Sequence, residues 1–143
     1  MFQHNIDNKG RLSVPGQFRE AIKTLPDDKL ILTSNLDRCL VLYPSQEWHY
    51  FKEKAKTLPS MNKKVTKFYR FLFSRATPCS LDKQGRILIP QLLRDHAALE
   101  GETCLVGIDN KIEIWNQARW MEEDSLTTSN PEEILEAMAD LGM

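Results

Sequence analysis

One stretch of 13 residues occurs twice in this sequence. Residues 7–19 read DNKGRLSVPGQFR and residues 82–94 read DKQGRILIPQLLR, so each residue of the second copy lies 75 positions after its counterpart. An aspartate, a glycine, a proline and two arginines are identical in both copies, and apolar residues replace apolar residues at three more positions. Such a repeat predicts a fold made of two equivalent supersecondary units.

Each copy predicts a strand, a glycine turn, a second strand and a helix. Gly10 and Gly85 can adopt the positive φ that a tight turn requires, and the apolar residues that follow alternate at period two, which is typical of a strand with one buried face. Pro15 and Pro90 lack an amide hydrogen, so they end the strand and suit the start of a helix. Two apolar runs behind each helix then predict a hairpin, formed by residues 30–32 with 39–43 and by residues 104–106 with 112–115.

Length and composition are those of an ordinary globular protein. The 143 residues, of which 41% are hydrophobic and 27% charged, suffice for one core or for two small intertwined units. There is no apolar run long enough to span a bilayer and no signal-peptide pattern, so a cytosolic location is expected. Cys39, Cys79 and Cys104 lie far apart without a CxxC pair and are expected to be free thiols.

The distribution of charge is more informative than the net charge of -1. Residues 1–75 hold 14 of the 19 Lys and Arg but 7 of the 20 Asp and Glu, which gives +7, whereas residues 76–143 hold the remaining 5 and 13, which gives -8. A polyanion is therefore attracted to the first half and repelled by the second. Because the total is weak, oligomerisation would help by clustering several basic faces.

Enzyme motifs are missing from the sequence. It contains no GxxxxGK[ST] loop, no GxSxG, no HExxH and no cysteine pair, and His4, His49 and His96 have no partners at metal-binding or catalytic spacing. His96 stands where the first copy has Ala21, which indicates a structural role. We therefore expect a protein that is not an enzyme, with no cofactor, no metal and no small-molecule substrate.

The repeated arginines are the best candidates for contacts with DNA. Arg11 and Arg86 each begin a strand beside a glycine turn, where a guanidinium can form two hydrogen bonds with guanine O6 and N7 in the major groove or clamp a phosphate. Lys9 and Lys83 add point charges for phosphates at different positions of the motif. These four side chains are the predicted DNA-binding residues.

The other residues that are identical in both copies are predicted to support those arginines. Asp7 and Asp82 precede the arginines by four residues, and a carboxylate facing DNA is repelled, so each aspartate is expected to pair with its own arginine. Gly10 and Gly85 supply the turn. Arg19 and Arg94 lie on the predicted helices and are expected to form salt bridges that support the fold.

Two helices are predicted between the copies. Ser45 is a candidate N-cap for a helix that begins at Gln46, residues 58–60 interrupt it, and Asn62 is a candidate N-cap for a second helix. The second helix has an apolar stripe, expected in the core or at a subunit interface, and a basic face. Its basic side chains are candidate phosphate contacts, with a merely solvated surface as an equal alternative; they are Lys63, Lys64, Lys67 and Arg70.

The ordered set of motifs resembles the MraZ family of bacterial transcriptional regulators, which have two SpoVT/AbrB-type repeats. The resemblance extends from Met1 to about Trp120, and it rests on the paired Asp-x-x-Gly-Arg motifs, the Pro-x-x-x-Arg after each, the opening Met1-Phe2, Leu42-Tyr43-Pro44 before Trp48, and Glu113-Ile114-Trp115 before Trp120. It implies an α+β fold in which two tandem β-α-β repeats of the swapped-hairpin type interlock into one small β-barrel, with connecting and C-terminal helices. The expected divisions are a first repeat at 1–48, a helical connector at 49–76, a second repeat at 77–120 and an acidic tail at 121–143.

The same resemblance implies a function. It implies a sequence-specific DNA-binding regulator, mainly a repressor, of the promoter of the division and cell-wall gene cluster that includes its own gene. A ring-shaped homo-oligomer would bind direct repeats through the Asp-x-x-Gly-Arg loops, in the cytoplasm and on the nucleoid, without a membrane. The alternative is an antitoxin-like or assembly module whose basic loops bind a protein partner; a steep loss of affinity with salt would favour DNA.

The last 23 residues differ in character from the rest. Residues 121–143 contain seven acids and no Lys or Arg. A Ser/Thr-rich linker is expected first, and then a helix to about Leu141 with Asn130 as its cap and Pro131 in its first turn. The tail is expected to stay away from DNA and either to pack against a neighbouring subunit or to be mobile.

Overall fold

A computed structural model of the protein describes residues 1–59 and 61–143. The strands among these residues are β1 (Phe2–Ile6), β2 (Arg11–Ser13), β3 (Leu30–Ser34), β4 (Leu40–Pro44), β5 (Thr77–Cys79), β6 (Arg86–Leu88), β7 (Gly101–Ile108) and β8 (Lys111–Asn116). The helices there are α1 (Gly16–Lys23), α2 (Ser45–Ala55), α3 (Lys63–Ser74), α4 (Gln91–Ala97), α5 (Gln117–Ser129) and α6 (Pro131–Asp140). Both copies therefore have the predicted order of strand, glycine turn, strand and helix, and the α+β class is confirmed.

The two copies exchange strands. Six strands form one antiparallel sheet in the order β1-β7-β8-β4-β3-β5, and β2 pairs with β6 in a separate two-stranded ribbon. The first strand of each copy thus pairs with the other copy, β1 with β7 and β5 with β3. This exchange confirms the predicted interlocking. Closure of the strands into one barrel is not tested by this pairing and stays a prediction.

The ribbon and the two glycine turns are joined by backbone hydrogen bonds related by the repeat. The Val14 N–H donates to the Gly85 carbonyl at 2.9 Å, and the Ile89 N–H donates to the Gly10 carbonyl at 2.8 Å. Val14 and Ile89 are buried in the core, as are the central apolar residues of both ribbon strands. Each turn is therefore held in place by the other copy.

The helix starts follow the sequence with one difference. Pro15 and Pro90 lie at the N-cap, immediately before α1 and α4. Asn62 caps α3 as predicted, because its side chain accepts a hydrogen bond from the Lys64 N–H at 2.9 Å. The prediction that Ser45 caps α2 was wrong, since the helix begins at Ser45 and its hydroxyl donates to the Asp27 carboxylate instead. Helix α2 ends at Ala55, and Ser60 in the predicted interruption lies outside the described residues.

The predicted Ser/Thr-rich linker in the tail is helical instead. Helix α5 runs through Ser129, and the Thr128 and Ser129 hydroxyls donate back to carbonyls one turn earlier, which lets these residues stay in a helix. Only Asn130 separates α5 from α6, and its side chain donates to the Leu126 carbonyl rather than capping α6. Pro131 occupies the first turn of α6 as predicted.

Candidate nucleic-acid interface

The β2–β6 ribbon brings both repeated arginines to one surface. Its central pair, Leu12 with Ile87, points into the core. Because side chains alternate along a strand and directly opposed residues share a face, the other four side chains lie on the outer face. They form two cross-strand pairs, Arg11 with Leu88 and Ser13 with Arg86.

Asp7 holds the first turn and its arginine together. One carboxylate oxygen accepts hydrogen bonds from the Lys9 and Arg11 backbone N–H groups, each at 2.9 Å, and the other accepts from Arg11 Nε at 2.6 Å. Gly10, with φ of 88°, completes the turn by donating its N–H to the Asp7 carbonyl. Within residues 1–59 and 61–143, the two terminal guanidinium nitrogens of Arg11 have no hydrogen-bond partner, so they are free to bind a ligand.

The second copy repeats this geometry. Asp82 accepts hydrogen bonds from the Gln84 and Arg86 backbone N–H groups, each at 2.9 Å, and from Arg86 Nε at 3.0 Å. Gly85, with φ of 75°, donates its N–H to the Asp82 carbonyl. Lys83 is exposed in this turn, as Lys9 is in the first. The two turns thus present the same fixed arginine with lysines at different places.

The two arginines are close enough to act together. Arg11 and Arg86 are diagonal neighbours across the ribbon, because Arg11 is opposite Leu88; such neighbours lie about 7–8 Å apart. Their side chains are 36% and 26% exposed. A two-stranded ribbon fits the major groove, which is about 12 Å wide, so both guanidinium groups can reach base edges in one groove.

The hydrogen bonds to Asp7 and Asp82 lower the pKa of both carboxyl groups below the ordinary value of 3.8. The largest cause is the bond from the backbone N–H of Arg11 or Arg86, and partial desolvation opposes it. A lowered pKa in the folded state means that the unfolded chain binds protons first as the pH falls. The two carboxylates therefore stabilise the fold above about pH 5, and this stabilisation is lost as the pH falls through 3.8 toward the folded pKa.

We expect Asp7→Asn/Asp82→Asn to be less stable than the wild type at pH 7 and to lose less stability than the wild type between pH 5 and pH 3. The asparagines keep the oxygen that accepts the turn bonds but lose the charge that the folded state favours. Urea midpoints at both pH values measure this. Asp28→Asn, which removes one exposed carboxylate outside the motif, is the control. An equal acid-induced loss in the double variant and the wild type would contradict the expectation.

Arg19 and Arg94 support the fold in a different way from the predicted one. The prediction of salt bridges was wrong, because neither residue forms an ion pair in the part of the chain that the structure describes. Each instead lies against the glycine turn of the other copy: a Cβ added to Gly85 would be 2.5 Å from Arg19 Cδ, and one added to Gly10 would be 2.8 Å from Arg94 Nε. Arg94 Nε also donates to the Ile89 carbonyl at 2.9 Å.

The basic face of α3 lies on a different part of the protein. Helix α3 packs on the six-stranded sheet, where the Thr33 hydroxyl donates to the Leu72 carbonyl at 2.7 Å, and the Phe71 ring meets the His96 ring edge-on. His96 also bonds the Asn35 carbonyl at 2.9 Å, in agreement with its predicted structural role. The four basic side chains are exposed and none contacts Arg11 or Arg86 among the described residues; they are Lys63, Lys64, Lys67 and Arg70.

Leu88 is an apolar residue on the surface that is not among the predicted DNA-binding residues. Its side chain is 59% exposed on the outer face of the ribbon, as its period-two alternation with the buried Ile87 and Ile89 predicts. It is the counterpart of Ser13 in the repeat. Leu92, the counterpart of Gln17, is also exposed at 61%. The second copy is therefore the more apolar of the two around its arginine.

Other kinds of site find little support among residues 1–59 and 61–143. Within these residues no cluster of three or more His, Cys, Asp or Glu side chains is arranged to bind a metal ion, and no helix has the length and apolar character to cross a membrane. Burial raises the pKa of the Cys39 and Cys104 thiols and raises that of Cys79 to about 11. The three cysteines are therefore protonated thiols at neutral pH.

Comparison with known proteins identifies the family. A family model described as "MraZ protein, putative antitoxin-like" matches residues 1–71 and again residues 72–139. The chain belongs to the MraZ family. This confirms the family predicted from the motifs, and because MraZ proteins are non-enzymatic it also confirms that the protein is not an enzyme. Each MraZ repeat includes most of the helical segment that follows its last strand, since the first match ends in α3 and the second in α6.

Three curated relatives show how similar the chain is to other MraZ proteins. The protein named transcriptional regulator MraZ of Pediococcus pentosaceus is 45% identical over 142 residues, which covers 99% of this chain and 96% of the relative. The proteins of the same name from Desulforamulus reducens and Alkaliphilus metalliredigens are each 44% identical, over 98% and 99% of this chain and 96% of each relative. The similarity thus extends through the acidic tail.

Proposed function

We propose that this protein is a transcriptional regulator that binds double-stranded DNA through the outer face of the β2–β6 ribbon. The observation that carries the proposal is the pair of arginines on that face. Each is held at Nε by an aspartate, while its terminal nitrogens have no hydrogen-bond partner in the part of the chain that the structure describes. The name of the relatives, transcriptional regulator MraZ, supports the same role.

The ribbon enters the major groove, and Arg11 and Arg86 each form two hydrogen bonds with a guanine. Lys9 and Lys83 contact the phosphates on either side of the groove as point charges. Asp7 and Asp82 stay out of contact with DNA and orient the arginines, so that less side-chain entropy is lost on binding.

Oligomerisation completes the proposed regulator. A single ribbon contacts few base pairs, so several subunits in a ring would bind direct repeats together and gain affinity by effective concentration. The proposed target is the promoter of the division and cell-wall gene cluster that includes the protein's own gene, which it mainly represses, in the cytoplasm on the nucleoid. The basic face of α3 would contact flanking phosphates and the tail would stay away from DNA; that face is Lys63, Lys64, Lys67 and Arg70.

The difference between Ser13 and Leu88 would give the ribbon a direction on DNA. Two identical copies would present a symmetric surface, which suits a palindrome, whereas direct repeats need an asymmetric one. Leu88 beside Arg11 offers an apolar contact for a thymine methyl group, and Ser13 beside Arg86 offers a hydroxyl. The Arg11 end therefore favours guanine next to thymine.

We expect Leu88→Ser to lower affinity for the operator by about three- to fivefold, the value of burying roughly one methyl group. Operator thymines are replaced one at a time by uracil, which lacks only that methyl group. For the wild type, replacement at one position should lower affinity by the same factor as Leu88→Ser does. For the Leu88→Ser variant, replacement at that position should have no further effect on affinity. Leu92→Ser serves as the matched surface control. Uniform sensitivity of both proteins to every deoxyuracil would contradict the contact.

A binding titration of the wild type tests the function itself. DNA from upstream of the protein's own gene and scrambled DNA of the same composition are compared between about 50 and 200 mM salt. We expect preference for the former and a log–log salt slope of roughly -0.9 for each phosphate neutralised. Binding that neither prefers the upstream DNA nor depends on salt would favour the second candidate, an antitoxin-like module with a protein partner, which the description of the family model supports.

A further inference from the structure

An open groove runs between α1, α2 and the β7–β8 turn. It consists of two adjoining cavities of about 310 and 270 Å³ that share Glu47 and the turn residues 109–111 as walls. Phe18, Ile22 and Ile112 line the first cavity, and Tyr43, Tyr50 and Phe51 line the second. Lys54 and Lys111 lie at the second cavity together with Glu47 and Asp109, so the groove is apolar with charged groups of both signs at one end.

The equivalent place in the other half of the molecule is closed by larger side chains. His96 stands where the groove has Ala21, and it bonds the Asn35 carbonyl of the β3–β4 turn. Arg119 stands where the groove has Glu47, and its Nη1 donates to the Arg38 and His96 carbonyls at 3.3 Å each. Helix α3 adds a further cover through the contact of Phe71 with His96. The same arrangement of elements thus occurs twice in the molecule. One occurrence is closed by these side chains, and the other, the groove, stays open among the described residues.

The helix that corresponds to α3 in the second repeat is α6, and none of its residues is buried. The two family matches end at residue 71 in α3 and at residue 139 in α6, which makes the two helices equivalent. Every residue from 121 to 143 is exposed. Four apolar side chains of this segment nevertheless fall on one side of the helix at spacings of one, four and seven residues, flanked by acids; they are Ile134, Leu135, Met138 and Leu141.

The connection between the helices keeps α6 from covering its own sheet as α3 does. Seven residues separate the end of α2 from the start of α3, and α3 lies back against α2, where the Tyr69 hydroxyl contacts the Ala55 carbonyl. Asn130 alone joins α5 to α6. Helix α5 also starts after Asn116, at the end of the β7–β8 hairpin away from the groove, and its 13 residues extend about 20 Å. A second copy of the chain is therefore the source of a helix for the groove.

We propose that α6 of one subunit binds in the groove of the next. Its apolar side chains would cover Phe18, Ile22 and Tyr50, and Lys54 and Lys111 would face the acids that flank the stripe. This is the helix-in-groove mode of recognition, with anchors at helical spacing. Because the helix and the groove are different surfaces of the chain, the contact is head-to-tail and produces a ring or an open chain of subunits. The contact does not depend on DNA binding.

Sedimentation velocity of the full chain tests this contact. The variants are Ile134→Asp/Met138→Asp, which places charges on the exposed stripe, and Ala21→Trp, which fills the groove. We expect each to lose the oligomer and sediment at the 16.6 kDa of one chain, while still unfolding in a single cooperative transition. Leu126→Asp, an exposed tail position on α5, is the control and should keep the oligomer. Lys54→Glu/Lys111→Glu is a second groove variant whose changes lie on the surface.

Mixing the two kinds of variant shows whether the helix comes from another subunit. The groove variant keeps an intact helix and the helix variant keeps an intact groove, so an equimolar mixture has one competent contact per pair and should form heterodimers. Unchanged oligomers in the helix and groove variants would overturn the proposal. Dissociation without heterodimers in the mixture would also overturn it, because it would mean that α6 acts within its own chain.

Discussion

Replacing Arg11 and Arg86 together by alanine is expected to lower affinity for the operator by roughly 30-fold or more. Each bidentate contact with guanine is worth about 1–3 kcal/mol, so the loss of two multiplies to this size or more. Thermal stability should change little, because each arginine's ion pair with Asp7 or Asp82 is partly exposed and such pairs contribute roughly 0–1 kcal/mol. Gel-shift titration and thermal melting of the same samples measure the two effects.

Replacement by lysine separates base contacts from charge. Arg11→Lys/Arg86→Lys keeps both positive charges but cannot form the planar two-bond contact with guanine. It should therefore bind scrambled DNA with wild-type affinity and salt slope while losing the preference for the operator. Arg38→Ala, which removes an arginine far from the ribbon in sequence, is the control for net charge. Parallel losses of melting temperature and binding in the alanine variant would instead make these arginines part of the fold.

Alanine at Gly10 or Gly85 is expected to destabilise the protein by about 2–4 kcal/mol. Both residues have positive φ, which costs a residue with a side chain roughly 1–2 kcal/mol, and both lack space for one. The added Cβ at Gly10 would lie 2.7 Å from the Ile89 carbonyl oxygen, and the one at Gly85 would lie 2.5 Å from Arg19. Relief of the contact with the Ile89 carbonyl at Gly10 requires the backbones of the two copies to move apart, whereas relief at Gly85 requires the packed Arg19 side chain to shift.

Gly101→Ala distinguishes the two causes. Gly101 also has positive φ, at 73°, but nothing lies within 4 Å of an added Cβ, so only the backbone cost of roughly 1–2 kcal/mol is expected. Free energies of unfolding from urea titrations compare the three variants. The close contacts predict a larger loss at Gly10 and Gly85 than at Gly101. Equal losses at all three would show that the turns tolerate a side chain and that Arg19 and Arg94 move aside.

The repeat explains why so much of the fold could be predicted. A duplicated pattern of turn glycine, alternating apolar residues and proline specifies local structure twice, and both copies have the predicted order of elements. The same pattern placed Asp7 four residues before Arg11, where a turn brings the two together whatever the rest of the chain does. Local patterns predicted the structure less well at Ser45 and at residues 125–129. Hydroxyl groups there suit a helix cap or a linker, but the Ser45 hydroxyl donates to the Asp27 carboxylate and the Thr128 hydroxyl donates to a carbonyl of its own helix.

The position of the candidate site depended on contacts that are distant in sequence. The strands that carry Arg11 and Arg86 pair with each other, and each copy supplies a strand to the other's half of the sheet. Nothing in a local pattern states which strand pairs with which, because any alternating apolar strand can complete an antiparallel sheet. The packing of Arg19 and Arg94 beneath the opposite turns follows from that pairing.

The sequence by itself determined the elements, the turns and the paired arginines of this MraZ family member, since these depend on neighbouring residues and on backbone preferences. Only the tertiary structure decided that the arginines share one ribbon, that Arg19 and Arg94 support the turns by contact rather than by charge, and that one half of the molecule keeps an open groove. The physical reason is that strand pairing and packing join residues about 75 positions apart. The burial of apolar side chains in these contacts favours one arrangement of the elements among several that local preferences do not distinguish.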